Sequence, residues 1–119
     1  MVPGGHEETI AIVRALKERG TPLFCLTNFA SEKFALMRRR FDVFALFDGI
    51  VVSSDVGLIK PDPAIFRHLL DRFGLAAESC LFIDDAEANV AAARGLGMQT
   101  IRYHGSDDLR DRLRTMNLL

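Results

Sequence analysis

The chain has 119 residues, of which 49% are hydrophobic and 26% charged, and its formal net charge is −1. This length allows one domain with a substantial core, and we expect a single core domain over residues 1–119. The near-neutral charge gives no reason to expect a nucleic-acid partner. No apolar stretch approaches the roughly 20 residues that span a bilayer, so we expect no membrane partner either.

The sequence contains two cysteines, Cys25 and Cys80, each within an apolar run and at no metal or redox spacing. Such residues are typical of buried, reduced thiols in a reducing compartment. No signal peptide opens the sequence. We therefore expect a cytoplasmic location.

Hydrophobic periodicity predicts an alternation of helices and strands along the chain. The predicted elements are a helix over 6–19, a strand over 22–27, a helix over 31–40, a packed turn with a short helix over 41–48, a strand over 49–54, a helix over 63–74, a strand over 80–84, a helix over 86–96, a strand over 99–103 and a helix over 107–116. This order indicates an α/β fold in which helices cover both faces of a parallel sheet.

Polar side chains end the predicted strands. They are Thr27 and Asn28 after the first strand, Ser53 and Ser54 at the end of the second, and Asp84 and Asp85 at the end of the third, with Lys60 in the loop DVGLIKPDP. Ligands of open α/β sheets bind beyond the carboxyl ends of the strands. We therefore expect these residues to share one rim and to form a site there.

The adjacent carboxylates of Asp84 and Asp85 require a compensating charge. At ~5 Å and an effective dielectric constant of about 20, their repulsion costs roughly 3 kcal/mol. The candidate cations are Mg²⁺, which prefers carboxylate, water and phosphate oxygens, and the ammonium of Lys60. The alternative is that Asp85 caps a helix beginning near Ala86 while Asp84 stays solvated. The other polar residues on the rim favour the cation.

Thr27 and the loop after it are suited to an anion, because a hydroxyl stands beside backbone N–H groups at the start of a helix. Asn28 could instead only tolerate an unusual backbone angle in a turn. Lys60 precedes Pro61, which biases its backbone towards an extended geometry. A lysine alone in a loop is usually a solvated charge, so its weight here comes from the neighbouring rim residues.

Three stretches, LFCLTN (23–28), GLIKPDPAIF (57–66) and LFIDDAEANVAAARGLGMQTI (81–101), resemble the second, third and fourth motifs of the haloacid dehalogenase superfamily, in its phosphatase-like branch. The resemblance covers nearly the whole chain. It implies a three-layer Rossmann-like domain that hydrolyses phosphate monoesters, with Mg²⁺ as cofactor and a small phosphorylated metabolite as substrate. The metal-independent dehalogenases of the superfamily usually lack the aspartate pair, so a 2-haloacid dehalogenase is the less favoured reading.

The same resemblance implies a role for each rim residue. Thr27 and the amide of Asn28 would hold the phosphoryl group, and Lys60 would neutralise the nucleophile and the phosphate. Asp85 would ligate Mg²⁺, and Asp84 would assist directly or through water. Asn89, one helical turn beyond Asp85, would support that loop. Lys60, Asp84 and Asp85 are therefore the expected catalytic residues.

The superfamily's first motif, DxDx[TV], does not occur in these 119 residues, since no aspartate has another two positions later. That motif supplies the nucleophile and the general acid/base. We therefore expect a C-terminal portion of the domain, without the first motif and the cap, that is inactive by itself. The alternative is a non-catalytic module of the same fold that acts by binding or through an oligomer.

The missing strand would lie at the centre of the superfamily's sheet, whose order is 5-4-1-2-3. The strands flanking the gap are those predicted over 22–27 and 80–84. Unpaired strand edges attract other strands. We therefore expect either direct pairing of these two strands or closure of the gap by a homodimer or a swapped segment.

Overall fold

Helices and short strands alternate in the computed structural model, which describes residues 6–28, 31–40 and 42–119. The helices are α1 (His6–Glu18), α2 (Ser31–Arg40), α3 (Ser53–Val56), α4 (Pro63–Phe73), α5 (Glu87–Gly95) and α6 (Ser106–Thr115). The strands are β1 (Phe24–Thr27), β2 (Gly49–Val52), β3 (Leu81–Asp84) and β4 (Gln99–Arg102), and 3-10 helices span Asp42–Leu46 and Ala77–Ser79. Residues 1–5, which the predicted single domain includes, lie outside the described residues.

The strands form two parallel pairs. In the first, β1 pairs with β2, so that Phe24 lies opposite Gly49 and Thr27 lies opposite Val52. In the second, β3 pairs with β4, and Asp84 lies opposite Arg102. The prediction of an α/β fold with parallel strands is confirmed.

Helices pack on both faces of the strands, because alternate side chains of each strand point to opposite sides. One core cluster lies between the strands and helices α4 and α5, and its buried members include Val51, Ile65, Phe66 and Ala93. A second cluster joins α1 and α6 to β4 through Ile12, Leu16, Ile101, Leu109 and Leu113. The result is the predicted three-layer, Rossmann-like arrangement.

Helix α4 has a defined start and stop that fix the loop before it. The side chain of Asp62 accepts a hydrogen bond from the N–H of Ala64, Pro63 occupies the first turn, and Gly74 ends the helix in the left-handed conformation with φ 63°. Asp and Pro are favoured at these positions, and glycine at the end. The loop that carries Lys60 therefore ends at a capped helix start.

The second strand is shorter than its sequence predicts. Ser53 and Ser54 do not extend β2 but begin α3, so their prediction as strand residues is wrong. The N–H of Gly57 donates to the carbonyl of Ser53 at 3.0 Å, and the φ of 69° at Gly57 ends the turn. This single helical turn redirects the chain after β2.

Strands β1 and β3 do not pair with each other in the described part of the chain, which makes the expected direct pairing wrong. The two sheets meet through side chains instead. Leu23, just before β1, packs in the same cluster as Leu81 and Ile83 of β3. On the other face, Phe24 and Phe82 pack against one shared cluster. Side-chain contacts therefore join the two pairs without a common hydrogen-bond ladder.

Both cysteines are free thiols, as expected, although each is only partly buried. Burial raises the pKa of both Cys25 and Cys80. A raised pKa reduces the thiolate fraction, so both side chains are suited to packing rather than to chemistry. None of the helices in the described ranges has both the length and the apolar character needed to cross a bilayer. The cytoplasmic location stays a prediction.

Gly49, the first residue of β2, permits a close approach between helix α4 and the sheet. A Cβ at this position would overlap the ring of Phe73. That ring packs against Phe24 of β1, with ring centroids 4.9 Å apart. The absence of a side chain at Gly49 therefore allows the aromatic pair to form.

We expect Gly49→Ala to lower the free energy of unfolding by about 1–3 kcal/mol, because the ring of Phe73 has to shift out of a packed core. Gly95→Ala is the matched control, since a Cβ there meets no atom within 4 Å. Alanine in that helix is expected to be neutral or to stabilise by up to ~1 kcal/mol. Urea denaturation of both variants measures the difference, and equal effects would contradict the packing account.

Candidate active site

A buried ion pair lies at the centre of the candidate site. The Nζ atom of Lys60 is 2.9 Å from Oδ2 of Asp84, and the two side chains are only 12% and 10% exposed. Lys60 comes from the loop after α3, and Asp84 ends β3. The pair therefore connects the two sheets at the carboxyl ends of their strands.

Three groups donate hydrogen bonds to the Asp84 carboxylate. Oδ1 accepts from the backbone N–H of Ala86 at 2.9 Å, and Oδ2 accepts from Nδ2 of Asn89 at 3.2 Å as well as from Lys60. Burial acts to raise the pKa of Asp84, but the N–H of Ala86, the ammonium of Lys60 and the amide of Asn89 outweigh it. The pKa of Asp84 consequently lies below its ordinary value of 3.8, and the group is ionised at neutral pH.

The two adjacent aspartates occupy different environments, and the capping alternative for them is wrong. Asp84, rather than Asp85, accepts the hydrogen bond from Ala86 at the start of α5. The N-cap residue is Ala86, which has no side-chain cap. Asp85 is exposed, so its carboxylate is the accessible one of the pair.

Asn28 connects the end of β1 to the backbone of Lys60. Its Oδ1 accepts from the Lys60 N–H at 2.9 Å, and its Nδ2 donates to the Lys60 carbonyl at 3.2 Å. The backbone of Asn28 has no positive φ, since Asn117 is the only non-glycine residue of positive φ in the described ranges. The alternative that Asn28 serves only to tolerate an unusual backbone angle is therefore wrong.

The structure brings four of the predicted site residues into one hydrogen-bonded network. These are Asn28, Lys60, Asp84 and Asn89. Thr27 lies next to Asn28 at the end of β1 and is 9% exposed. Asp85 follows Asp84 directly and faces solvent. The expectation that these residues share a rim thus has a geometric basis, while their individual roles stay predictions.

Arg102 is a further contributor that the sequence reasoning did not identify. Its Nε donates to the backbone carbonyl of Asp85 at 3.3 Å, and its Nη1 lies 3.6 Å from a carboxylate oxygen of Glu87. Arg102 pairs with Asp84 in the β3–β4 register. A correct prediction of that register would have placed Arg102 beside the aspartate pair.

The described residues fit magnesium only in part. Within those ranges, no three side chains of His, Cys, Asp or Glu converge as a metal-binding group. Mg²⁺ is commonly held by one or two carboxylates together with water and phosphate oxygens. The exposed carboxylate of Asp85 matches one such ligand, whereas both oxygens of Asp84 already accept hydrogen bonds from the protein.

Comparison with known proteins establishes the family. The model for the haloacid dehalogenase-like hydrolases matches residues 5–97. The chain therefore belongs to the haloacid dehalogenase-like hydrolase family.

Individual relatives match the same region. The sesquiterpene phosphatase astK of Aspergillus oryzae is 33% identical over 99 residues, which cover 83% of this chain and 50% of the relative. The GMP/IMP nucleotidase YrfG of Escherichia coli is 34% identical over 98 residues, which cover 82% of this chain and 43% of the relative. The chain thus spans half or less of the length of these two relatives.

A solved structure confirms the fold. A haloacid dehalogenase family enzyme of Bacteroides thetaiotaomicron, crystallised with magnesium and inorganic phosphate, superimposes with a TM-score of 0.72. The two chains are 25% identical, and the match covers 82% of this chain and 52% of that one.

We expect Lys60→Met to lower the free energy of unfolding by about 2–4 kcal/mol at neutral pH, because it leaves a buried carboxylate without its cation. In the wild type, the lowered pKa of Asp84 gives a stabilising contribution that is complete above 3.8. That contribution is lost as the pH falls through 3.8 towards the lower native-state value. The difference between variant and wild type should therefore shrink on acidification, as measured by denaturation at several pH values.

The matched control for this prediction is Lys17→Met. Lys17 pairs with Asp48 at 3.0 Å, but these side chains are 39% and 40% exposed. Solvent screens an exposed pair, so we expect a much smaller change from this variant. Equal losses from the two substitutions would contradict the assignment of a special role to the buried pair.

Proposed function

We propose that this chain provides the phosphate-holding and magnesium-holding part of a phosphate-monoester hydrolase. The observation that carries the proposal is the Lys60–Asp84 pair at the strand ends, which holds an ammonium at the rim where ligands of such sheets bind. Membership of a hydrolase family supports the same reading.

In this proposal each rim residue has a distinct task. Lys60 supplies positive charge to the phosphoryl oxygens, while the hydroxyl of Thr27 and the backbone N–H of Asn28 donate hydrogen bonds to them. Asn89 holds the carboxylate of Asp84, which in turn holds Lys60.

Magnesium belongs to the same proposal. Asp85 supplies the protein carboxylate for the ion, and Asp84 is placed to assist through water. When bound, Mg²⁺ neutralises charge on the phosphate oxygens. A relative of the same family crystallised with magnesium and inorganic phosphate supports this cofactor.

The proposed substrates are small phosphorylated metabolites. The relatives include proteins named as a sesquiterpene phosphatase and as a GMP/IMP nucleotidase. These names describe very different organic groups attached to phosphate, so the shared feature is the phosphate ester. We propose phosphate recognition at this rim and leave the organic group open.

The covalent step is proposed to require residues other than these 119. No DxD sequence occurs in the chain, and loss of a nucleophile typically costs on the order of 10⁴–10⁶ in rate. We therefore expect the chain alone to bind phosphate and magnesium with little turnover. A non-catalytic binding module is the second candidate, favoured by the same absence.

Calorimetric titration with inorganic phosphate tests the proposed site. We expect the wild type to bind phosphate, and Mg²⁺ to strengthen this binding. Lys60→Ala should lower the phosphate affinity about tenfold or more, because a charge-assisted hydrogen bond is removed. Asp85→Asn should abolish the effect of Mg²⁺ while leaving the metal-free affinity near that of the wild type. Asp48→Asn, far from the rim, serves as the control.

Two results would count against the proposal. If the folded wild-type chain does not bind phosphate, that result would favour a module without this site. Hydrolysis of p-nitrophenyl phosphate by the chain alone, lost in both Lys60→Ala and Asp85→Ala, would mean that a further residue supplies a nucleophile to this site.

We further propose that a homodimer closes the gap between β1 and β3, since these two strands do not pair with each other within the described chain. Light scattering should then give about twice the chain mass of 13.3 kDa, falling towards the monomer on dilution. A stable monomer at every concentration, with cooperative unfolding, would contradict the dimer.

A further inference from the structure

We propose that the side chain of Asn28 is a positioning residue that fixes the backbone of Lys60 and so keeps its ammonium on Asp84. This inference rests on the proposed function only in that Lys60 is taken as the cation of the phosphate site. The Asn28 carboxamide then binds the backbone of Lys60, and only the backbone N–H of Asn28 remains for the phosphoryl group.

The geometry at Asn28 is that of a two-point clamp. A carboxamide offers an acceptor oxygen and a donor nitrogen side by side. Oδ1 accepts from the N–H of Lys60 at 2.9 Å, and Nδ2 donates to the carbonyl of the same residue at 3.2 Å. Both backbone polar groups of one residue, 32 positions away, are thereby bound by a single side chain.

Lys60 depends on such a clamp because its two immediate neighbours are not buried, although Leu58 packs on the core and the capped start of α4 fixes the far end of the loop. The neighbouring residues Ile59 and Pro61 are both exposed, and Ile59 leaves 58% of its surface in solvent. Lysine has a long side chain whose ordering is entropically costly. When the Lys60 backbone is held in one position, less conformational freedom is lost as its ammonium pairs with Asp84.

The clamp and the ion pair act in series. Asn28 at the end of β1 holds the Lys60 backbone, and the Lys60 side chain holds Asp84 at the end of β3. Loss of the first link should therefore weaken the second without touching Asp84 itself. Asparagine is suited to this position, because aspartate lacks the donor and serine lacks the second arm.

Competitive chemical labelling of lysines tests the proposal directly. The chain has three lysines, Lys17, Lys33 and Lys60, which peptide mass mapping resolves. A trace amount of an acylating reagent reacts with the neutral amine form of each lysine, at a rate that falls when the side chain is buried or paired. The measured quantity is the labelling rate of Lys60 divided by that of Lys17, whose pair with Asp48 lies elsewhere.

In Asn28→Ala, we expect this ratio to rise about fivefold, a size consistent with the loss of one or two net hydrogen bonds. Asn28→Ser should give a similar rise, since its hydroxyl cannot reach both backbone groups. Asn28 is exposed, so both variants are expected to keep the wild-type melting temperature within a few degrees. A rise in the Lys60 ratio at unchanged melting temperature separates positioning from general stability.

The matched control is Asp62→Ala, which removes the helix cap in the same loop but makes no contact with the Lys60 backbone in the described hydrogen bonds. This variant should leave the ratio near its wild-type value. An unchanged ratio in Asn28→Ala, or an equal rise in Asp62→Ala, would overturn the clamp. Labelling needs no substrate, so a failure of phosphate binding would refute the proposed function and leave this result standing.

Discussion

The buried ion pair between Lys60 and Asp84 is the constraint on which the rest of this structure depends. The Asp84 side chain is only 10% exposed, yet burial does not neutralise its carboxylate, because three donors converge on its oxygens. The ammonium of Lys60, which comes from a separate loop, is the charged one of these three donors. The pair thus fixes where the loop lies relative to β3, and it places positive charge where phosphate would bind.

The same pair helps to hold the two short parallel sheets together. Neither sheet shares a backbone ladder with the other in the described residues. Apolar side chains join the sheets on both faces, and the Asn28–Lys60–Asp84 chain joins them at the rim. The polar link is directional where the apolar contacts are not. It therefore favours one placement of the Lys60 loop relative to the end of β3, which the proposed function requires.

The sequence predicted most of the helices and strands because these depend on local patterns, and it named the four residues of the hydrogen-bonded network as candidates. Helix α4 follows from apolar periodicity, with Pro63 at its start and Gly74 at its end. The pattern could not predict α3, since one helical turn is too short to show a period. Nor could it tell which of Asp84 and Asp85 turns inward, because that depends on Lys60, 24 positions away. The Asn28 clamp was missed for the same reason.

A double-mutant cycle on the ion pair tests the central claim most directly. Lys60→Met, Asp84→Leu and the combined variant would be compared with the wild type by urea denaturation at neutral pH. Each single substitution leaves the other charge buried, whereas the double variant leaves none, so the effects should not add. We expect a coupling free energy of about 2 kcal/mol or more. Additive effects, with a coupling below ~0.5 kcal/mol, would contradict the account.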